Sequence, residues 1–176
     1  MMDVYIYKKA LPVDFSSGEI LAEAAAGYAA YCGRKLPDNL QVVREGKPVF
    51  ANWPGVEFSV SHSGEWWVCA FADRPVGLDV QEHRPCPYQR LAKRWFHPDE
   101  QLWLSRQTDT EEAFYTLWTA RESFVKMTGQ GIDSGFSCFS VIADGLLRKE
   151  IGGGELRQLP FADGYSLCVC IKKEIS

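Results

Sequence analysis

Apolar residues recur along the chain at two spacings. VEFSVSH (56–62), WWVCAFA (66–72) and VGLDVQ (76–81) either alternate with a period of two or run solidly apolar. The short turns SGE and DRP separate them, so three successive strands are expected. DVYIY (3–7) reads as a further strand, and NLQVVREGKPVFA as a hairpin about Gly46, Lys47 and Pro48. In SSGEILAEAAAGYAAYCGRK and DTEEAFYTLWTARESFVKMTGQG the apolar spacing changes to three and four, which predicts helices. Ser16 with Glu19, and Asp109 with Glu112, have the spacing of capping boxes, while Gly33 and Gly129 suit the two stops. Two short helices are expected near 88–95 and 98–106, the second opened by Pro98. Three last strands are expected at 136–142, 146–151 and 165–171, with the glycines at 152–154 breaking the final two apart.

Helix and antiparallel strands thus occur in each half of the chain, so the fold class is α+β. Two small lobes, residues 1–83 and 84–176, are expected to pack as one unit with a cleft between them. No residue-level repeat is visible, and a pseudo-twofold pairing of the lobes is expected from element order alone. Nowhere do 18 apolar residues run together, and MMDVYIYKKA lacks the basic start and long apolar core of a signal peptide. Six cysteines without a C-x-x-C pair fit a reducing cytoplasm better than a zinc site, with Cys168 and Cys170 expected as packed thiols on one strand face. A net charge of −4 argues against general nucleic-acid binding. The segment 83–94 nevertheless holds Arg84, Arg90, Lys93 and Arg94 with no acid, either as a solvated helix face or as a docking patch for an acidic partner.

The candidate chemistry lies on two elements. In the strand 76–81, Val76, Leu78 and Val80 share one face and Gly77, Asp79 and Gln81 the other. On the long helix, Phe114, Trp118, Glu122 and Lys126 form one row. A Glu four residues before a Lys is by itself an ordinary surface pair, but the two aromatic residues carry the row toward a drier region, where an acid needs a partner, a metal or a task. Asp79 and Glu122 together could seat Mg²⁺, which keeps several waters and takes phosphates as further ligands. Ser61 and His62 at a strand end and Lys47 on a hairpin add possible phosphate donors.

Taken together, GKP (46–48), FSVSHSGEWWVCAF (58–71), VGLDV (76–80), FHPDE (96–100), LWTARESFVKMTGQGI (117–132) and GYSLCVC (164–170) resemble the Sfp-type 4′-phosphopantetheinyl transferases. The resemblance implies the pseudo-twofold 4′-phosphopantetheinyl transferase fold with its site between the lobes. It implies Mg²⁺-dependent transfer of the phosphopantetheine arm of coenzyme A to a serine of an apo acyl or peptidyl carrier protein, with release of adenosine 3′,5′-bisphosphate. On that resemblance, Asp79 and Glu122 hold the metal and Glu122 is the base for the serine. Lys126, His62 and Ser61 hold phosphate oxygens, Gly46, Lys47 and Pro48 lie by the nucleotide, and Trp118 braces the helix. An acidic carrier would match the basic run at 83–94, and a single chain with both lobes suggests a monomer. Many members carry an acid where Gln81 stands; a neutral amide can hold a metal-bound water but adds no negative charge, so weaker metal binding is expected. The 45 residues ahead of Gly46 make a first lobe shorter than is usual. There Arg34, Lys35 and Arg44 are the nearest basic candidates for a coenzyme A phosphate. Two other readings stay open: a relative that binds coenzyme A or a carrier without turnover, and another Mg²⁺-dependent phosphoryl-transfer or hydrolytic enzyme.

Overall fold

A computed structural model of the chain describes residues 4–12, 14–131 and 136–174. Its elements are β1 (Tyr5–Ala10), α1 (Ser17–Cys32), β2 (Val42–Val43), β3 (Val49–Phe50), β4 (Glu57–Ser63), β5 (Trp66–Ala72), β6 (Val76–Glu82), α2 (Tyr88–Trp95), α3 (Pro98–Ser105), α4 (Thr110–Thr128), β7 (Ile142–Ala143), β8 (Leu146–Leu147), β9 (Glu150–Ile151), β10 (Gly154–Leu159) and β11 (Tyr165–Lys172). The fold is α+β, with antiparallel sheets ordered β1-β5-β4 and β6-β11-β10-β9 and two small hairpins, β2-β3 and β7-β8.

The period-two alternation of the strands sorts their side chains into layers. Trp67, Cys69 and Phe71 of β5 pack against Ile20, Leu21, Ala24 and Ala25 of α1. The intervening Val68, Ala70 and Ala72 meet Val76, Leu78 and Val80 of β6 and Leu167, Val169 and Ile171 of β11. The remaining face of β11, with Cys168 and Cys170, lies in a core with Leu117, Ala120, Phe124 and Met127 of α4. Burial drives both thiols up to about 12, so they are packing groups. Each sheet is therefore backed by a helix, and the two sheets meet through their inner faces.

Serines stitch the two sheets along one edge. Ser59, Ser61 and Ser63 of β4 accept hydrogen bonds from the amides of Leu78 (3.0 Å), Val80 (3.2 Å) and Glu82 (3.0 Å). The constant offset means that β4 and β6 run in the same direction, joined by side chains rather than by a backbone ladder. This gives the S-x-S-x-S alternation of FSVSHS a structural role: its other face, Phe58 and Val60, serves the α1 core. β6 lies before the expected boundary at 83–84, yet it pairs with β11 from Tyr165↔Glu82 to Ile171↔Val76 and so ties the halves together.

Cap chemistry sets the helix limits where the sequence indicated them. Ser16 Oγ accepts from the Glu19 amide and Gly33 closes α1 with φ 68°; Asp109 accepts from the Glu112 amide and Gly129 closes α4 with φ 74°. The reciprocal box is found instead at α3, where His97 accepts from the Asp99 amide and Glu100 accepts from the His97 amide. The expected strand over 136–142 is corrected: its described residues form turns and irregular chain as far as β7, because their backbone groups bond to buried side chains described below. The expected strand 146–151 is also corrected, into β8 and β9. The glycines at 152–154 do not end a strand but turn one: Ile151 pairs with Gly154 across Gly152 and Gly153, both at positive φ, leading into β10, an element absent from the sequence reading. Asp144–Gly145 turns β7 into β8 in the same way. Asp3 and the first residues lie outside the described residues.

Candidate active site

The site begins at Gly77. A β-carbon there would overlap the Ser123 carbonyl oxygen and the Met127 amide nitrogen, so α4 crosses β6 in backbone contact. That close crossing brings the next residue on the same face, Asp79, against the helix row of Glu122 and Lys126. Asp79 is 2 % exposed. Its Oδ1 accepts from Ser61 Oγ (2.9 Å) and Lys126 Nζ (2.7 Å), and its Oδ2 from Gln81 Nε2 (3.1 Å). Lys126 donates as well to the Leu78 carbonyl at 3.1 Å.

Glu122 is also buried, and its Oε1 has no hydrogen-bond partner among the described residues. Burial pushes its carboxyl up to about 7; the neighbouring Asp79 charge adds to the rise, and Lys126 and Arg121 oppose it. A buried, unpartnered carboxylate oxygen within the field of a second carboxylate suits a cation. Among the described residues, no three His, Cys, Asp or Glu side chains gather as a metal cage. The donor set fits Mg²⁺, which takes one or two carboxylates and completes its shell with waters and phosphates, better than zinc, which needs three or four protein ligands.

In front of this pair opens a cleft of about 720 Å³. Glu122 and Lys126 reach it, as do His62 and the hairpin residues Gly46, Lys47 and Pro48. Asp79 and Gln81 are not among its lining residues. Ser61 stands behind the wall as well, its hydroxyl donating to Asp79 and accepting from Val80. Lys47 pairs with Glu57 at 3.2 Å. Of the basic candidates in the first lobe, Arg44 lines the cleft with no carboxylate partner among the described residues. Arg34 is committed elsewhere, donating to the Gly55 and Pro54 carbonyls at 2.8 and 2.6 Å. Ser17 and Leu21 of α1 form part of the wall. The sequence held no direct signal for that.

A second buried group adjoins the first. Arg121, one residue before Glu122, is fully buried and paired with Glu100, also fully buried. Its guanidinium donates to the carbonyls of Phe136 and Phe139, the latter at 3.0 Å, and lies 4.4–5.5 Å from the rings of Phe96, Phe136 and Phe139. Glu100 accepts from the amides of His97 (2.9 Å) and Val141 (2.7 Å). These bonds take the backbone groups that a strand over 136–142 would need. They also anchor α4 beneath Glu122, while Trp118 stacks on Phe114 at 5.9 Å one turn away.

A carboxylate pair with one member reaching a cleft, and lysines and a histidine on the cleft walls, is an arrangement suited to polyanionic phosphate chemistry. The chain belongs to the 4′-phosphopantetheinyl transferase superfamily, whose family profile matches residues 75–170. It is 37 % identical over 136 residues to the 4′-phosphopantetheinyl transferase psf-1 of Bacillus pumilus, an alignment that covers 73 % of this chain and 58 % of the relative. It is 33 % identical over 161 residues to a 4′-phosphopantetheinyl transferase of Bacillus subtilis, covering 87 % of this chain and 71 % of that protein. The Sfp transferase of Bacillus subtilis strain 168 matches at 33 % over 71 % of this chain and 59 % of its own length. The chain thus spans between 58 % and 71 % of the length of these curated relatives. Among the described residues no helix is long and apolar enough to cross a membrane.

Proposed function

We propose that the chain transfers 4′-phosphopantetheine from coenzyme A to a serine hydroxyl of an apo acyl or peptidyl carrier protein and releases adenosine 3′,5′-bisphosphate. The observation that carries this reading is the carboxylate pair: Asp79, held by three donors, beside Glu122, buried with an unpartnered oxygen at the floor of the cleft. Family membership supports the same chemistry.

The residues divide the work by charge and exposure. Asp79 and Glu122 would hold Mg²⁺, with Gln81 orienting Asp79; the ion would supply charge neutralisation for the diphosphate. Glu122, the carboxylate that reaches the cleft, would accept the serine proton, directly or through a water. The serine oxygen then bonds to the phosphorus that carries the pantetheine arm, and the bond to the nucleotide phosphate breaks. Lys126, His62 and Lys47, all on the cleft wall, offer donors to the anionic oxygens of the substrate and leaving group. Arg44, which lines the cleft, would offer a further cation to the nucleotide end.

Exposed Arg90, Lys93 and Arg94 form a basic face on α2, and Arg94 lies over the Trp95 ring at 4.8 Å. Arg84, by contrast, is neutralised by Glu82. We read the α2 face as the landing surface for an acidic carrier approaching a monomeric, cytoplasmic enzyme.

The test is mass spectrometry of apo carrier proteins incubated with the chain, coenzyme A and Mg²⁺. One phosphopantetheine per carrier is the expected gain. Binding of coenzyme A with no gain on any carrier would favour a non-catalytic relative, and coenzyme A turnover without a carrier would favour a hydrolytic enzyme.

A further inference from the structure

Asp79 is engaged by three donors that differ in kind. The Ser61 hydroxyl and the Gln81 amide are neutral and sit on the strands β4 and β6. Lys126 Nζ alone is charged, and its side chain is 31 % exposed where it lines the cleft, against 3 % for Asp79. Its acceptors, Asp79 Oδ1 and the Leu78 carbonyl, both belong to β6. An ammonium ion and a divalent cation on one carboxylate repel each other strongly in a poorly solvated site. A lysine on a flexible four-carbon stem can yield, whereas the two neutral donors need not.

We propose that Lys126 is a built-in counter-ion of Asp79, displaced when a divalent cation binds there, and that the freed ammonium then serves the anionic co-substrate. Cation and co-substrate would therefore bind with positive coupling through one side chain. The inference rests on the transferase reading for the identity of the co-substrate but not for the competition at Asp79. The cleft contains its own control: Lys47 is paired with Glu57 at 3.2 Å and does not touch Asp79.

The experiment is Mn²⁺ titration of the full chain, followed by the electron paramagnetic resonance signal of free Mn²⁺, with and without coenzyme A. In the absence of coenzyme A, Lys126→Met should bind Mn²⁺ about tenfold tighter than wild type, while Lys47→Met should differ by less than about threefold. Coenzyme A should tighten Mn²⁺ binding to wild type by about tenfold more than it does to Lys126→Met, in which only direct contact of the ion with the diphosphate is left to couple the two. If Lys126→Met does not fold, Lys126→Gln carries the same expectation, since it also removes the charge. Unchanged or weaker Mn²⁺ binding on loss of the Lys126 charge would overturn the proposal, as would an equal gain in Lys47→Met, which would show a general field instead of competition at Asp79. Failure of wild type to bind coenzyme A would instead overturn the transferase reading and the coupling, leaving the counter-ion role to be decided by the Mn²⁺ affinities alone.

Discussion

Arg121 and Glu122 are neighbours on α4, and each belongs to a buried group of opposite charges, but the two groups are finished differently. Around Arg121 both partners are fully buried, Glu100 accepts from two backbone amides, and three phenylalanine rings enclose the guanidinium, whose Nε has no hydrogen-bond partner among the described residues. Around Glu122 one carboxylate oxygen has no partner among the described residues, and the lysine of the group reaches an open cleft. Opposite charges are therefore enclosed on one side of the helix and open to a cleft on the other, where we place the chemistry. What separates them is access, since each group holds one unpartnered buried atom among the described residues but only the Glu122 group has a route to solvent. The enclosed group also supports the open one, since it fixes the helix turn that carries Glu122.

The strongest way to break this contrast is to alter each side in turn. Glu122→Gln should lower transfer to a carrier by at least about 10³-fold while leaving the fold intact, as read by carrier mass and by circular dichroism. Glu100→Gln should do the reverse. It leaves a buried guanidinium uncompensated, which should cost about 3–5 kcal/mol in urea unfolding, with activity falling only as far as folded protein is lost. Gly77→Ala should affect both sides, because the added methyl pushes α4 from β6; about 2–3 kcal/mol of stability should be lost together with Mn²⁺ affinity.

The smallest effect concerns pH. In the fold the Glu122 carboxyl stays protonated up to about 7, against an ordinary value of 4.5, so the native state holds a proton that the unfolded chain has released. Raising the pH through this window therefore favours unfolding. With metal chelated, wild type should match Glu122→Gln below pH 4.5 and become progressively less stable than it up to pH 7. Above that the gap should level off at about 2 kcal/mol or less, as measured by thermal unfolding. A gap that is constant across the range would mean that Glu122 ionises normally and is not held in a dry site.

Much of this arrangement was legible because it is local. Ser16, Gly33, Asp109 and Gly129 mark their helix ends by cap chemistry that needs no tertiary partner. The alternation of VGLDVQ placed Asp79 and Gln81 on one face, and the four-residue step placed Glu122 over Lys126. The meeting of those two faces was legible only through family resemblance, because its physical cause, the bare backbone of Gly77 beneath α4, looks in sequence like any strand glycine. The segment 136–142 misled for a related reason. Its alternation suits a strand, but Arg121 and Glu100 take its hydrogen-bonding groups from far along the chain. The Asp144–Gly145 and Gly152–Gly153 turns carried recognisable hairpin chemistry, although the glycines at 152–154 read as a break between strands.

The account depends on Asp79 and Glu122 serving one cation. The most direct measurement is anomalous diffraction at the manganese edge from crystals grown with Mn²⁺ and coenzyme A. A single peak in contact with a carboxylate oxygen of both residues, with the Lys126 ammonium no longer on Asp79, is the predicted result. A peak touching only one of them, or none in the cleft, would contradict it.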